Sequence, residues 1–105
     1  MSRLVTVGLL TRMDPPEEVR HPGYDRGFGF LSILAGDRLG LTNETLVRFP
    51  RPVADWDEPV VGFAIYGLRG ESQELLCTGR LNQARRIRAG EMMSFQPGSL
   101  RLEVR

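Results

Sequence analysis

The chain is predicted to be all-β: an antiparallel two-sheet β-sandwich of jelly-roll or immunoglobulin-like type, with seven to eight short strands. Three observations carry that expectation. The 12 glycines and 7 prolines fall at regular intervals between short apolar runs, the rhythm of short strands broken by turns. Several of those runs alternate apolar with polar residues, which places one set of side chains on each face of a strand. No window of a dozen residues carries the 3.6-residue period of an amphipathic helix.

The elements follow in order. Leu4–Thr11 is the first strand. Met13–Gly23 holds Pro15, Pro16 and Pro22, and each proline lacks a backbone donor, so the segment reads as a loop with at most one helical turn at Pro16–Arg20. Tyr24–Leu34 is the second strand, and Ala35–Gly40 a Gly-Asp turn. Glu44–Phe49 is the third strand, closed by Pro50 and Pro52. Asp55–Pro59 forms an acidic loop around Trp56. In Val60–Tyr66, Val61, Phe63 and Ile65 point one way and Val60, Ala64 and Tyr66 the other. Gly70–Ser72 turns the chain into a strand at Glu74–Leu81. Arg85–Arg88 is a short strand ending at the Ala89-Gly90-Glu91 turn, followed by Met92–Phe95. Pro97-Gly98 marks a further turn. Leu100–Arg105 alternates cleanly, with Leu100, Leu102 and Val104 inward.

At 105 residues the chain makes one domain, residues 1–105. A hydrophobic fraction of 41% supports a core, and 26% charged residues is ordinary for a soluble protein. The 14 basic residues, every one an arginine, face 13 acidic ones, for a net charge of +1. No strong field recruits nucleic acid or anionic lipid. One cysteine, Cys77, excludes an intrachain disulfide and thiolate zinc sites, and one histidine, His21, excludes a His–His metal pair within the chain. The longest charge-free apolar stretches, Gly27–Gly36 and Pro59–Leu68, are half the ~20 residues a membrane helix needs. Met1–Met13 lacks a cleavage signal. A soluble protein made inside a cell, without cofactor or metal, is expected.

The segment Arg26-Gly27-Phe28-Gly29-Phe30-Leu31-Ser32-Ile33 resembles the aromatic strand of RNA-recognition motifs and the equivalent strand of cold-shock domains. Phe28 and Phe30 share one face, glycines beside them would let bases approach, and each ring could contribute about 1–3 kcal/mol by stacking. The context differs. Thr11–Asp25, with three prolines, has no room for the helix and strand such motifs require. Glu44–Phe49 offers only Phe49 as a second aromatic strand, and Asp25 stands beside the motif. The expectation is that Phe28 and Phe30 are core aromatics. Single-stranded nucleic-acid binding through Arg26, Phe28 and Phe30 is the alternative.

Asp14, Glu17 and Glu18 cluster in the proline-rich loop, and Asp55, Asp57 and Glu58 flank Trp56; both clusters lack calcium-loop spacing and read as solvated acidic loops. Cys77 is a small buried hydrophobe on a strand unless His21 meets it as a base. Arg80, Arg85, Arg86 and Arg88 form the densest basic region. They are either a solvated strand edge or a contact patch for an acidic protein surface. Trp56 is either a lid on the end of the fold or an anchor for a partner's pocket.

Taken in order, Gly8-Leu9-Leu10-Thr11, Gly23-Tyr24-Asp25-Arg26, Thr42-Asn43, Val47-Arg48-Phe49-Pro50 and Trp56 form the first half of a further likeness. Val61-Gly62-Phe63-Ala64-Ile65-Tyr66, Leu75-Leu76, Gly79-Arg80-Leu81, Arg86-Ile87-Arg88-Ala89-Gly90 and Phe95-Gln96-Pro97-Gly98-Ser99-Leu100-Arg101-Leu102 complete it. The ordered set resembles a family of small virion proteins of tailed bacteriophages, described as tail-fibre-like or head-decoration proteins. The chain departs from that family at Asp57, where the family has glycine, and at Glu71-Ser72-Gln73-Glu74, where it has a glycine-rich hairpin. The resemblance implies a non-enzymatic capsid decoration or cement protein, or a tail or fibre component, made in the host cytoplasm and located in the virion. Its partners would be major capsid or tail proteins and further copies of itself, with no membrane and no nucleic acid. The residues expected to make contacts are Trp56, Arg85, Arg86, Arg88, Glu17, Glu18 and Arg20.

Overall fold

Strand β1 (Ser2–Met13) organises the molecule, and its composition explains how. Val5, Val7 and Leu9 are buried on one face, while Thr6 and Leu10 are buried on the other. A strand apolar on both faces belongs in the middle of a sheet. In the computed structural model, which describes residues 2–34 and 39–104, β1 indeed lies between β3 (Gly27–Leu34) and β6 (Val60–Arg69). β4 (Leu39–Asn43) and β9 (Arg101–Val104) extend the sheet beyond β3, and β7 (Ser72–Arg85) extends it beyond β6. With β2 (Pro16–Glu18) added on β1, this makes a curled seven-stranded antiparallel sheet in the order β7-β6-β1-β3-β4-β9.

A second, two-stranded sheet joins β5 (Val47–Arg48) to β8 (Ser94–Phe95). Its strand β5 lies against β3, with Val47 and Arg48 beside Gly29 and Gly27. The core cluster holds Val5, Val7, Leu9, Leu31, Phe63 and Ile65 from the large sheet. Val47, Phe49, Trp56, Ile87, Met93 and Phe95 join the same cluster from the small sheet and the loops. Phe95 meets both Phe49 and Phe63 edge-on, with ring centroids 5.9 and 6.1 Å apart, the offset geometry that aromatic quadrupoles favour.

The all-β expectation is met, and several details differ. Pro16–Arg20 forms no helical turn. After the turn at Asp14–Pro15, β2 pairs Glu18 with Leu10, Glu17 with Arg12 and Pro16 with Met13. A three-residue strand on the rim tolerates a residue with no N–H. The second strand starts at Gly27, not Tyr24, because the Tyr24 side chain turns back to accept a hydrogen bond from Leu9 N at 2.9 Å. Of the expected turn Ala35–Gly40, residues 35–38 lie outside those described, and Leu39–Gly40 already belong to β4.

The expected strand Glu44–Phe49 is cut short by Asn43. This side chain is buried; its Nδ2 donates to Thr45 O and Gln96 O, each at 2.9 Å, and its Oδ1 accepts from Leu100 N at 2.9 Å. An amide satisfying so many backbone groups forms a corner, so β4 ends there and β5 spans only Val47–Arg48. Arg85 ends β7, and Arg86–Arg88 is not strand; Met92–Phe95 contracts to Ser94–Phe95. In β6, Phe63 and Ile65 face the core as expected, and a register shift between Val60 and Gly62 brings Val60 in with them.

The largest correction concerns Gly27-Phe28-Gly29-Phe30. Phe28 is 63% exposed and Phe30 43%, so neither is a core aromatic. The glycines are what face the core. A Cβ on Gly29 would stand 2.6 Å from Val47 Cγ2, and one on Gly27 would stand 2.7 Å from Arg48 O. β5 therefore lies directly on the glycine backbone of β3. Because side chains alternate along a strand, glycines inward put both phenylalanines outward.

Candidate functional site: one end of the sheet and its outer face

Three segments that flank strand ends meet at one end of the large sheet. β1 runs out to Met13, β6 starts at Val60, and β7 finishes opposite it, with Val60 paired to Arg85. The loops attached there are Asp14–Gly23, Asp55–Pro59 and Arg85–Gly90. A backbone bond ties the second to the third, Trp56 N donating to Ile87 O at 3.0 Å, and Gly90 N donates to Pro52 O, just ahead of the second loop, at 2.9 Å. Asp55 Oδ1 accepts from Ala89 N at 2.8 Å. The first loop is held to the second by His21. Its Nε2 accepts from Asp57 N at 3.1 Å, and its ring stacks on Trp56 with centroids 5.8 Å apart. A cleft of about 270 Å³ opens where they join, lined by Thr11, Glu17–His21 and Trp56–Glu58.

The contact residues expected from sequence thus divide. Glu17, Glu18, Arg20 and Trp56 come together around the cleft, and Arg85, Arg86 and Arg88 lie exposed on the adjoining segment. Trp56, however, is only 5% exposed. Its ring belongs to the core and is met edge-on by Tyr24 at 5.9 Å. The ring does not project as an anchor, because an indole this large stabilises the fold more by burial than it could by standing in water.

Glu18 is also less available than an acidic-loop residue should be. It takes a two-point contact from Arg26, Nε to Oε2 at 2.9 Å and Nη2 to Oε1 at 2.8 Å, and Tyr24 Oη donates to Oε2 at 2.6 Å. Burial alone would push its carboxyl up. The hydrogen bonds from Arg26 and Tyr24, with the Arg26 charge, outweigh burial and hold it below the ordinary value of 4.5. Burial, reinforced by the same carboxylate, pushes the Tyr24 phenol well up.

Arg26 continues across the outer face of the sheet. Its guanidinium lies 3.6 Å above the Tyr66 ring, and Nη1 donates to Gln73 Oε1 at 2.6 Å, which also accepts from Thr6 Oγ1 at 2.7 Å. Beside this network stand exposed Phe28, Phe30, Leu4 and Leu75. Phe28 is paired with Thr6, Phe30 with Leu4, and Leu75 with Tyr66. The two rings are as accessible as a base-stacking strand requires, but Arg26 is already engaged by Glu18, Gln73 and Tyr66. Tyr24, Tyr66 and Gln73 were not foreseen as parts of this network. Only a strand register could have placed Thr6 beside Tyr66, and single-sequence patterning does not supply one.

Cys77 is half-buried and packs against the core, and burial pushes its thiol up. His21, the base of the alternative reading, has its Nε2 occupied by the Asp57 amide. Among the described residues no group of three or more His, Cys, Asp or Glu side chains could hold a metal ion. Among the described residues no helix is long and apolar enough to cross a membrane. No family model, no curated protein and no solved structure matches this chain.

Proposed function

We propose that this chain is a non-enzymatic structural component of a tailed-bacteriophage particle, docking as a capsid decoration or cement protein or as part of a tail or fibre. In this reading the seven-stranded and two-stranded sheets are the two layers of a β-sandwich whose end presents the contacts. The observation that carries it is the joining of Asp14–Gly23, Asp55–Pro59 and Arg85–Gly90 at one end of the sheet by backbone bonds, the Asp55–Ala89 bond and the His21–Trp56 stack. Loops held this firmly present contacts at little cost in ordering entropy. The ordered likeness of Thr42-Asn43, Val47-Arg48-Phe49-Pro50, Val61–Tyr66 and Phe95–Leu102 to small phage virion proteins supplies the particle as the partner. Arg85, Arg86 and Arg88 are exposed and have no ion pair among the described residues, which leaves their planar forks for carboxylates on a capsid or tail protein.

The test is quantitative mass spectrometry of particles purified from cells that make this protein. A fixed number of copies per particle is expected. Abundant free chain in the lysate with none on washed particles would overturn the proposal.

A second reading has one observation in its favour, the exposure of Phe28 and Phe30. It makes the outer sheet face a platform for single-stranded nucleic acid. The engagement of Arg26 by Glu18 weighs against it, because the cation of the Arg26–Phe30 segment already has its anion. Fluorescence anisotropy with a labelled single-stranded oligonucleotide at low salt separates the readings. Binding that falls steeply with salt and is lost in Phe28→Ser/Phe30→Ser favours the platform, and absence of binding removes it.

A further inference from the structure

At the docking end, exposed charges of opposite sign stand side by side, with Arg20 and His21 on the cleft wall beside the acidic pair. Arg85, Arg86 and Arg88 are exposed on one segment and pair with no carboxylate among the described residues. Immediately beside them, Asp57 and Glu58 are exposed, the Asp57 carboxylate being 94% accessible. The bond from Trp56 N to Ile87 O sets the two segments next to each other. The Asp55–Ala89 bond and the packing of Ile87 and Trp56 in one core keep them there. Neighbouring segments with opposite charge would normally collapse onto one another. Here the backbone bonds and the buried Ile87 and Trp56 fix both segments, and the guanidiniums and carboxylates remain apart.

Two adjacent patches of opposite sign are self-complementary under a two-fold axis running between them. The acidic patch of one copy then meets the basic patch of the other, and the reverse contact forms at the same time. We infer that this end pairs two copies of the chain, with Arg85, Arg86 and Arg88 of each copy facing Asp57 and Glu58 of its mate. This rests on the docking proposal in using the same end, and it names the first partner of that end as the chain itself. The interface is held by exposed charge, so it weakens as salt rises and the screening length falls from about 10 Å at 0.1 M to about 3 Å at 1 M.

The test is sedimentation equilibrium of the whole chain at low and high salt, with two charge-reversed variants, Asp57→Arg/Glu58→Arg and Arg85→Glu/Arg86→Glu/Arg88→Glu. Wild type should be dimeric at low salt, with a dissociation constant rising about tenfold or more at high salt. Each variant alone should be monomeric, because both of its patches carry one sign. An equimolar mixture of the two should recover the dimer, since a two-fold pairing of an all-basic end with an all-acidic end matches both halves. Wild type monomeric at low salt, a variant that dimerises as wild type does, or a mixture that stays monomeric would each overturn the inference. Should a reversed variant lose its fold by Trp56 fluorescence, Arg86→Gln/Arg88→Gln replaces it and must weaken the low-salt dimer. Chain found on purified particles but monomeric in solution removes self-pairing and leaves particle docking intact. A salt-sensitive dimer absent from particles does the opposite.

Discussion

Replacing Gly29 by alanine tests the inward packing of the Gly-Phe-Gly-Phe strand through the sign of its effect. A glycine inside a strand ordinarily destabilises by about 0.5–1 kcal/mol relative to alanine, so the exchange should help wherever space permits. In this structure the new methyl would sit 2.6 Å from Val47 Cγ2, against about 3.5–4.0 Å for a comfortable carbon contact. Val47 cannot swing aside. It is fully buried and its backbone is paired with Phe95 in β8. Either β5 lifts by about 1 Å or β3 bends, and overpacking of this kind costs about 1–3 kcal/mol.

With a urea dependence of about 1–3 kcal/mol per molar for a domain of this size, the unfolding midpoint should fall by roughly 1 M. The single tryptophan, Trp56, is buried in the core and reports the transition. Val47→Ala alone should cost about 2 kcal/mol through lost burial and a cavity. The double variant should recover at least about 1 kcal/mol relative to the sum of the single effects, because the two residues compete for one space. An unchanged or raised midpoint for Gly29→Ala, or simple additivity, would show that β5 does not lie on the glycine face.

Phe28→Ser/Phe30→Ser should move the urea midpoint by less than the equivalent of about 1 kcal/mol, whereas Phe63→Ala should cost about 3–5 kcal/mol; equal effects would return the exposed phenylalanines to the core. The carboxyl of Glu18 is held below 4.5 when folded, so its contribution is complete above that value and disappears as pH falls below it through the folded value. Urea midpoints measured across this acid range should therefore drop more steeply for wild type than for Glu18→Gln, and parallel curves would deny the Glu18–Arg26 pair its place in acid stability. Because burial raises the Cys77 thiol, labelling by a disulfide reagent at neutral pH should be slower than for an unstructured thiol and should accelerate as pH rises; rapid labelling at neutral pH would reopen a nucleophilic role.

Proline and glycine spacing, together with the absence of any helical period, was enough to reveal an all-β chain, since each local choice agrees with strands and turns. Val60–Tyr66 was legible because Phe63 and Ile65 alternate with small or polar neighbours. β4 was not, because Leu39 and Gly40 were read as the end of a turn, and the corner that closes the strand shows only when Asn43 is seen bonding Thr45, Gln96 and Leu100. Asp14–Gly23 and Asp55–Pro59 were legible as largely loop, Arg85–Arg88 was read as a strand, and the meeting of the three was not legible, because it depends on which strands share an end of the sheet.

What the sequence determined alone was periodicity: where chain direction changes, and that neighbouring side chains oppose each other across each strand. A period of two defines a pair of faces without saying which is inside. At Gly27–Phe30 one face carries glycine and the other phenylalanine, and hydrophobicity by itself chooses phenylalanine for the interior. Tertiary structure decided otherwise, because Val47 and Arg48 must lie against the β3 backbone and only a face without side chains admits them. Close packing of one strand on another thus outweighed the burial of two rings, and left them to the surface where a partner can meet them.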